Sequence, residues 1–273
     1  MSKVLFAVGD SFTFGEALQF HLWKQHYPTT FRRFKDKDRY DPCHSISEDF
    51  IEFDDFRRKN NYTGKLSSFL GITYAKNSGN GGNNIGNLEL MDRWVDHVIF
   101  DKSIQPQLAI FQLTNIIRDV IHLKNMNDGN RGPYEHIFEK VKTILNLIDN
   151  INQPSSEQME KMGDIFSDFF YTIVLEIKKR FSILENEFGT KCIFFIGSAE
   201  QYSKKQYHSL IQTDPNYLPI IYNNNLYSDW DTMNRENKLT LRQSIGVNDD
   251  HPNLESHDWM SQHLYKKYLE ISQ

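Results

Sequence analysis

The chain has 273 residues, of which 39% are hydrophobic and 25% charged, and its formal net charge is −5. This length suits one large domain with a sizeable core, and the composition is ordinary for a globular protein. The acidic balance argues against a dedicated nucleic-acid binder. No apolar run approaches the roughly 20 residues of a membrane helix, and the short run before Asp10 does not resemble a cleaved signal peptide. We expect a protein without a membrane span that is cytoplasmic or released without a cleaved signal peptide.

Short apolar runs alternate with longer helical patterns along the chain. The runs are continuous rather than alternating, which is typical of strands buried on both faces of a parallel sheet. The predicted strands are residues 4–8, 71–75, 108–113, 192–196 and 218–222, and the predicted helices are residues 84–100, 134–151, 165–181 and 254–271. This order predicts a single α/β domain over residues 1–273, a three-layer sandwich with a central, mainly parallel sheet of flavodoxin-like type.

An insertion at about residues 20–60 interrupts the alternation after the first predicted helix. Its charges are mixed, which favours a lid or a solvated subdomain over a basic binding arm. We expect part of it to flank the functional site, because it leaves the sheet soon after the first strand. Its aromatic residues are Trp23, Tyr27, Phe31, Phe34 and Tyr40.

Polar residues follow the predicted strands at the edge where such sheets bind ligands. The first strand runs into Gly9-Asp10-Ser11, the second into a glycine- and asparagine-rich loop at 76–84, and the third into the residues 112–115. The sequence DDHPN, residues 249–253, precedes the last predicted helix. Each segment also has a plain structural interpretation as a helix cap or a turn. Their arrival at one sheet edge from separate parts of the chain favours a chemical site.

Together these four segments resemble the blocks of the SGNH (GDSL-type) hydrolases. The resemblance is carried by Ser11 in GDSFTFGE, Gly82 in the glycine loop, Asn115 after the third strand and His251 in DDHPN. It implies the SGNH hydrolase fold and an esterase that needs no cofactor or metal. Ser11 would be the nucleophile and His251 its base. The oxyanion hole would consist of the backbone N–H groups of Ser11 and Gly82 and the side-chain amide of Asn115.

Two positions depart from the family's pattern. The aspartate expected three residues before His251 is replaced by Asn248, so the orienting carboxylate is Asp249, Asp250 or absent. Of these alternatives we favour Asp249. The glycine usual two residues before the asparagine of the third block is replaced by Leu113, which narrows the space beside that asparagine.

The substrate is less well defined than the reaction. We expect an O-acyl ester, of which acetyl is the simplest case, on a glycan or a similar small molecule. The alternatives are a catalytically silent glycan-binding or structural module on the same fold, and an acyltransferase or thioesterase. The glycine loop lacks the Gly-Lys-Ser/Thr of a P-loop, and His251, His257 and Asp249 do not form a convincing metal-ligand set. Nothing in the pattern indicates an oligomeric state.

Overall fold

The computed structural model describes residues 2–15, 17–29, 31, 51–76, 82–101, 103–126, 134–135, 139, 142, 156–199 and 211–273. Within these residues the central sheet consists of the parallel strands β1 (Ser2–Val8), β2 (Thr73–Lys76), β3 (Ile104–Leu113) and β4 (Lys191–Ile196). Their order is β2-β1-β3-β4. This is the flavodoxin-like order, in which the boundary between β1 and β3 is the topological switch point. The predicted α/β fold with a central parallel sheet is confirmed.

Helices cover the sheet, and three of the predicted ones are present. The predictions at 84–100, 165–181 and 254–271 are confirmed, whereas most of the helix predicted at 134–151 lies outside the described residues. None of the described helices is both long and apolar enough to span a bilayer. The helices in the described part of the chain are α1 (Ser11–Phe14), α2 (Gln19–His26), α3 (Ile51–Asn60), α4 (Tyr62–Leu70), α5 (Asn84–Phe100), α6 (Ile116–Asn125), α7 (Ser156–Phe188), α8 (Trp230–Glu236), α9 (Leu241–Ile245) and α10 (Leu254–Glu270).

Apolar side chains fill the space on both faces of the sheet. Alternate residues of β1 point to opposite sides, so Phe6 belongs to the core under α5 and α7 while Leu5 belongs to the core under α4 and α10. The Phe6 ring stacks on Trp94 of α5 with centroids 4.0 Å apart. Burying one such side chain contributes about 1.5–3 kcal/mol. Burial on both faces explains why the strands have no polar alternation in the sequence.

A third apolar cluster, which we call the side cluster, lies apart from the two sheet cores. It joins α2 to α9 and the loop that follows α9, so the described part of the predicted insertion is packed against the body of the domain. Trp23 is at its centre, with ring contacts to Phe20 and Phe31 at 5.8 and 5.9 Å between centroids. Residues 32–50 of the insertion lie outside the described residues. The buried members are Ala17, Phe20, Leu22, Trp23, Phe31, Leu241 and Val247.

The fifth predicted strand, residues 218–222, is not a strand of the main sheet. Ile220–Tyr222 (β5) pairs antiparallel with Asn225–Tyr227 (β6) in a separate hairpin. Its turn residues Asn223 and Asn224 have φ values of +49° and +63°, which suit a tight hairpin turn. The chain pairs briefly with β4 just before this hairpin, where the Leu218 N–H donates to the Phe194 carbonyl at 2.9 Å. The asparagine turn therefore redirects a segment that begins beside the sheet.

Candidate active site

The turn between β1 and α1 holds the first site residue. Asp10 is the N-cap of α1, and its Oδ1 accepts a hydrogen bond from the Phe12 N–H at 2.9 Å. Ser11 is therefore the first helical residue and not the cap. The helix is a single turn that ends at Gly15, whose φ of +73° is left-handed. A strand that ends directly in a capped turn fixes Ser11, only 4% exposed, at the carboxyl edge of the sheet.

His251 reaches Ser11 from the loop before α10. The Nε2 atom of His251 lies 2.8 Å from the Ser11 Oγ. On the other side of the ring, Nδ1 lies 2.5 Å from Asp249 Oδ1, which also accepts from the His251 backbone N–H at 2.8 Å. All three residues are buried. The predicted contact between Ser11 and His251 is present, and Asp249, His251 and Ser11 form a continuous hydrogen-bonded line.

The neighbouring carboxylate of Asp250 points away from this line. Its Oδ1 pairs with Arg242 Nε at 2.8 Å, and its Oδ2 lies 3.7 Å from Arg235 Nη1. Of the two carboxylates that the sequence leaves open, Asp249 is thus the one in contact with His251.

Backbone hydrogen bonds to α9 determine which way the histidine loop faces. The Leu241 N–H donates to the His251 carbonyl at 2.9 Å, and the Arg242 N–H donates to the Asp249 carbonyl at 2.7 Å. The Phe12 ring packs edge-on against the His251 ring with centroids 5.5 Å apart. The imidazole is therefore held both through its backbone and by an aromatic wall next to Ser11.

Gly82 lies against the nucleophile turn at the start of α5. A Cβ atom at this position would be 2.5 Å from the Gly9 carbonyl oxygen, so only glycine permits this approach of the two backbones. The next residue, Asn83, caps α5 by accepting from the Gly86 N–H at 2.8 Å. Residues 77–81 of the glycine loop lie outside the described residues. The structure therefore places Gly82 beside Gly9, and Gly9 lies two residues before Ser11 in the sequence.

Asn115 follows β3 and is the N-cap of α6. Its Oδ1 accepts from the Ile117 N–H at 2.9 Å. The capping bond uses the oxygen of the amide, and Nδ2 remains as its donor end. Capping and oxyanion binding, which are separate interpretations of Asn115 in the sequence, are therefore compatible in one side chain.

Buried polar side chains connect the ends of β1 and β3. Gln112 Nε2 donates to Asp10 Oδ1 at 2.6 Å, and the Thr114 hydroxyl donates to Asp10 Oδ2 at 2.9 Å. The Thr13 hydroxyl donates to Gln112 Oε1. A Cβ at Gly197 would overlap the Gln112 amide, so that glycine makes room for it. The sequence-based site did not include Gln112, although a glutamine inside the apolar run LAIFQL is a visible signal that a buried partner exists.

A second buried histidine lies near the site without joining it. His257 Nδ1 accepts from the Tyr62 N–H at 3.1 Å, and its ring stacks on the Tyr62 ring. Burial, with smaller contributions from Lys65, His251 and His21, lowers the pKa of His257 to about 3. It is therefore neutral near pH 7 and is a packing residue in this environment. Among the described residues, no group of three His, Cys, Asp or Glu side chains could hold a metal ion.

Comparisons with known proteins add one structural likeness. The sequence matches no family model and no curated protein. A protein assigned to the G-D-S-L lipolytic family, from Desulfitobacterium hafniense DCB-2, has a solved structure to which this chain is similar over 98% of its own length and 99% of the other. The identity is 14% and the TM-score 0.44.

Proposed function

We propose that this protein is a serine hydrolase that cleaves carboxylic esters, with Ser11 as nucleophile. The observation that carries the proposal is the line from Asp249 through His251 to Ser11, with contacts of 2.5 and 2.8 Å. A serine hydroxyl becomes an effective nucleophile only when an adjacent base accepts its proton. Here His251 Nε2 is within reach of that proton, and the Asp249 carboxylate accepts from Nδ1–H. This pairing selects the tautomer with a free lone pair on Nε2 and stabilises the imidazolium formed during attack.

The tetrahedral intermediate needs donors for its oxyanion. The proposed donors are the backbone N–H groups of Ser11 and Gly82 and Nδ2 of Asn115. Gly82 and Asn115 stand at the amino ends of α5 and α6, where the helix dipoles also favour negative charge. When the intermediate collapses, His251 gives its proton to the leaving alcohol, and a water activated by the same histidine then hydrolyses the acyl-enzyme.

For the substrate we propose an O-acyl ester, with acetyl as the first case to test, on a glycan or a similar small molecule. Support comes from the described part of the insertion, since the side cluster ties α2 to the segment that precedes Asp249. The residue after α2 is Tyr27, an aromatic side chain that is 44% exposed. Acyl transfer to a second alcohol would use the same residues and differs only in what attacks the acyl-enzyme.

Ser11→Ala tests the proposal. If Ser11 is the nucleophile, the variant keeps its thermal midpoint and loses hydrolysis of 4-nitrophenyl acetate and labelling by a fluorophosphonate probe. Ser67→Ala is the matched control, because Ser67 is also a buried helical serine and its hydroxyl donates to the Gly64 carbonyl. It should lose about 1 kcal/mol of stability and no activity.

His251→Ala should be about as inactive as Ser11→Ala, and the double variant no worse, because the two groups act as a unit. Full activity in folded Ser11→Ala would refute the proposal. A wild-type protein that is inert to esters and to the probe would favour the glycan-binding or structural module.

A further inference from the structure

Arg118, beside the site, is a cation at a helix position that disfavours positive charge. It is the third residue of α6, which begins at Ile116 after the cap Asn115. The amino end of a helix carries partial positive charge, so a cation in the first turn is unfavourable by about 0.3–1 kcal/mol. Positions where a local preference is violated are often functional. The contacts of the Arg118 guanidinium show why a cation is useful at this position.

A single nitrogen of Arg118 lies between two blocks of the site. Its Nη1 donates to the Gly82 carbonyl at 3.3 Å and lies 3.6 Å from Asp10 Oδ2. Asp10 is itself fixed, because Phe12 N–H, Gln112 and Thr114 all donate to its carboxylate. The guanidinium therefore connects a rigid anchor in the nucleophile turn to the end of the glycine loop, just before α5.

Gly82 needs such a connection more than other residues. It has no side chain to restrict its φ and ψ angles, so its peptide planes are fixed only by contacts made through the backbone. Gly9 crowds it on one side, where a Cβ would be 2.5 Å from the Gly9 carbonyl. Arg118 holds its carbonyl oxygen. The carbonyl belongs to the Gly82–Asn83 peptide and the N–H to the preceding one, so the two contacts together fix where the residue lies beside the nucleophile turn.

We propose that Arg118 is a positioning residue that holds Gly82 against the nucleophile turn, so that the Gly82 N–H stays within reach of the oxyanion. The inference rests on the proposed function, in which Gly82 is an oxyanion donor. Arg118 acts through the Gly82 carbonyl and the Asp10 carboxylate. It contacts neither the ester nor the proton that passes from Ser11 to His251. Its contribution belongs to the transition state, because the oxyanion does not exist in the bound ester.

The test is Arg118→Gln, compared with Arg118→Lys and with the control Lys124→Gln, which removes one exposed positive charge from the far end of the same helix. With 4-nitrophenyl acetate, Arg118→Gln should lower kcat by about tenfold to a hundredfold and leave KM essentially unchanged, since misplacing a donor by about 1 Å costs up to this much. A trifluoromethyl ketone, whose hemiketal forms the same oxyanion, should bind more weakly by the same factor. Arg118→Lys should recover part of kcat, and Lys124→Gln should match the wild type.

Three results would overturn the inference. One is an unchanged kcat in folded Arg118→Gln, as judged by its thermal melt. Another is an equal loss in Lys124→Gln, which would indicate a general effect of charge. The third is a raised KM for 4-acetoxybenzoate with no change for the neutral 4-acetoxybenzamide, which would make Arg118 a binding site for substrate anions. Failure of the proposed function is distinguishable, because the wild-type protein itself would then neither hydrolyse these esters nor react with the fluorophosphonate.

Discussion

The two halves of the site are held by different kinds of structure. Ser11 is fixed from the sheet, through Asp10, Gln112 and the ends of β1 and β3. His251 is fixed outside the sheet, by backbone bonds to α9 and by the side cluster beneath the loop. The two halves meet at the 2.8 Å contact between Ser11 and His251. Their alignment therefore depends on two packing units that can be perturbed separately.

Outside the Ser11–His251 pair itself, the largest expected effect comes from the base half. Asp249→Asn replaces an acceptor at His251 Nδ1 by an amide that can hold the wrong tautomer. We expect kcat to fall on the order of 10³–10⁴-fold. Asp250→Asn is the matched control, because that carboxylate pairs with Arg242 on the outside of the loop. The measurement is kcat for steady-state hydrolysis of one ester by both variants. Similar losses of kcat in the two would show that Asp249 has no special role.

A smaller effect on kcat is expected when one packing unit is perturbed and the other is left intact. Trp23 in the side cluster and Phe181 in the core under α7 are both almost fully buried. Either residue changed to Ala should cost about 3–5 kcal/mol of unfolding free energy. Only Trp23→Ala should also lower kcat per folded molecule, since Trp23 supports the loop that carries Asp249 and His251. The comparison requires urea melts and rates normalised to the folded fraction. Equal rates in the two variants would mean that the loop is held by its backbone bonds alone.

The smallest effect concerns stability against pH. The pKa of His257 is about 3 in the folded protein and 6.5 when unperturbed, so between these values the unfolded chain binds a proton that the folded chain does not. The free energy of unfolding should therefore fall as the pH drops below about 6.5, by at most about 1.4 kcal/mol per unit from this residue. His257→Gln should remove this residue's share of the slope in urea melts between pH 7 and pH 5, and leave the share of His21, whose pKa burial lowers to about 4. Ser256→Ala, which removes the neighbouring buried hydroxyl that accepts from Trp230 and donates to Asn234, should lower stability equally at every pH. An unchanged slope in His257→Gln would contradict the pKa assigned to His257.

The strand ends were predictable from sequence because their signals are local. A continuous apolar run marks each strand, and in GDSFTFGE the polar residues follow at once. Which of Asp249 and Asp250 contacts His251 has no such local signal. The two are adjacent residues of one type, and which of them faces His251 depends on how the loop pairs with Leu241 and Arg242. That pairing is a tertiary contact without a sequence signature.

The sequence-based site omitted two residues that support it, although both stand at unusual positions in the sequence. Gln112 stands in an apolar strand, and Arg118 stands in the first turn of a helix. Each is unfavourable locally and is compensated by contacts to Asp10, to which Gln112 donates and with which Arg118 pairs. The hairpin after residue 218 was also missed, because LPIIY has the composition of a sheet strand and the turn at Asn223 and Asn224 overrides it.

The 240 residues that separate Ser11 from His251 have a consequence for biosynthesis. A ribosome releases the nucleophile turn, together with β1, well before the histidine loop leaves the exit tunnel. During that interval Ser11 has no base beside it, so the nascent chain carries an unactivated serine. Contacts so distant in sequence also form late in folding. Hydrolysis should therefore begin only when the last loop docks, and a truncated chain that ends before Asp249, which also lacks the α10 side chains of the Leu5 core, should gain no activity.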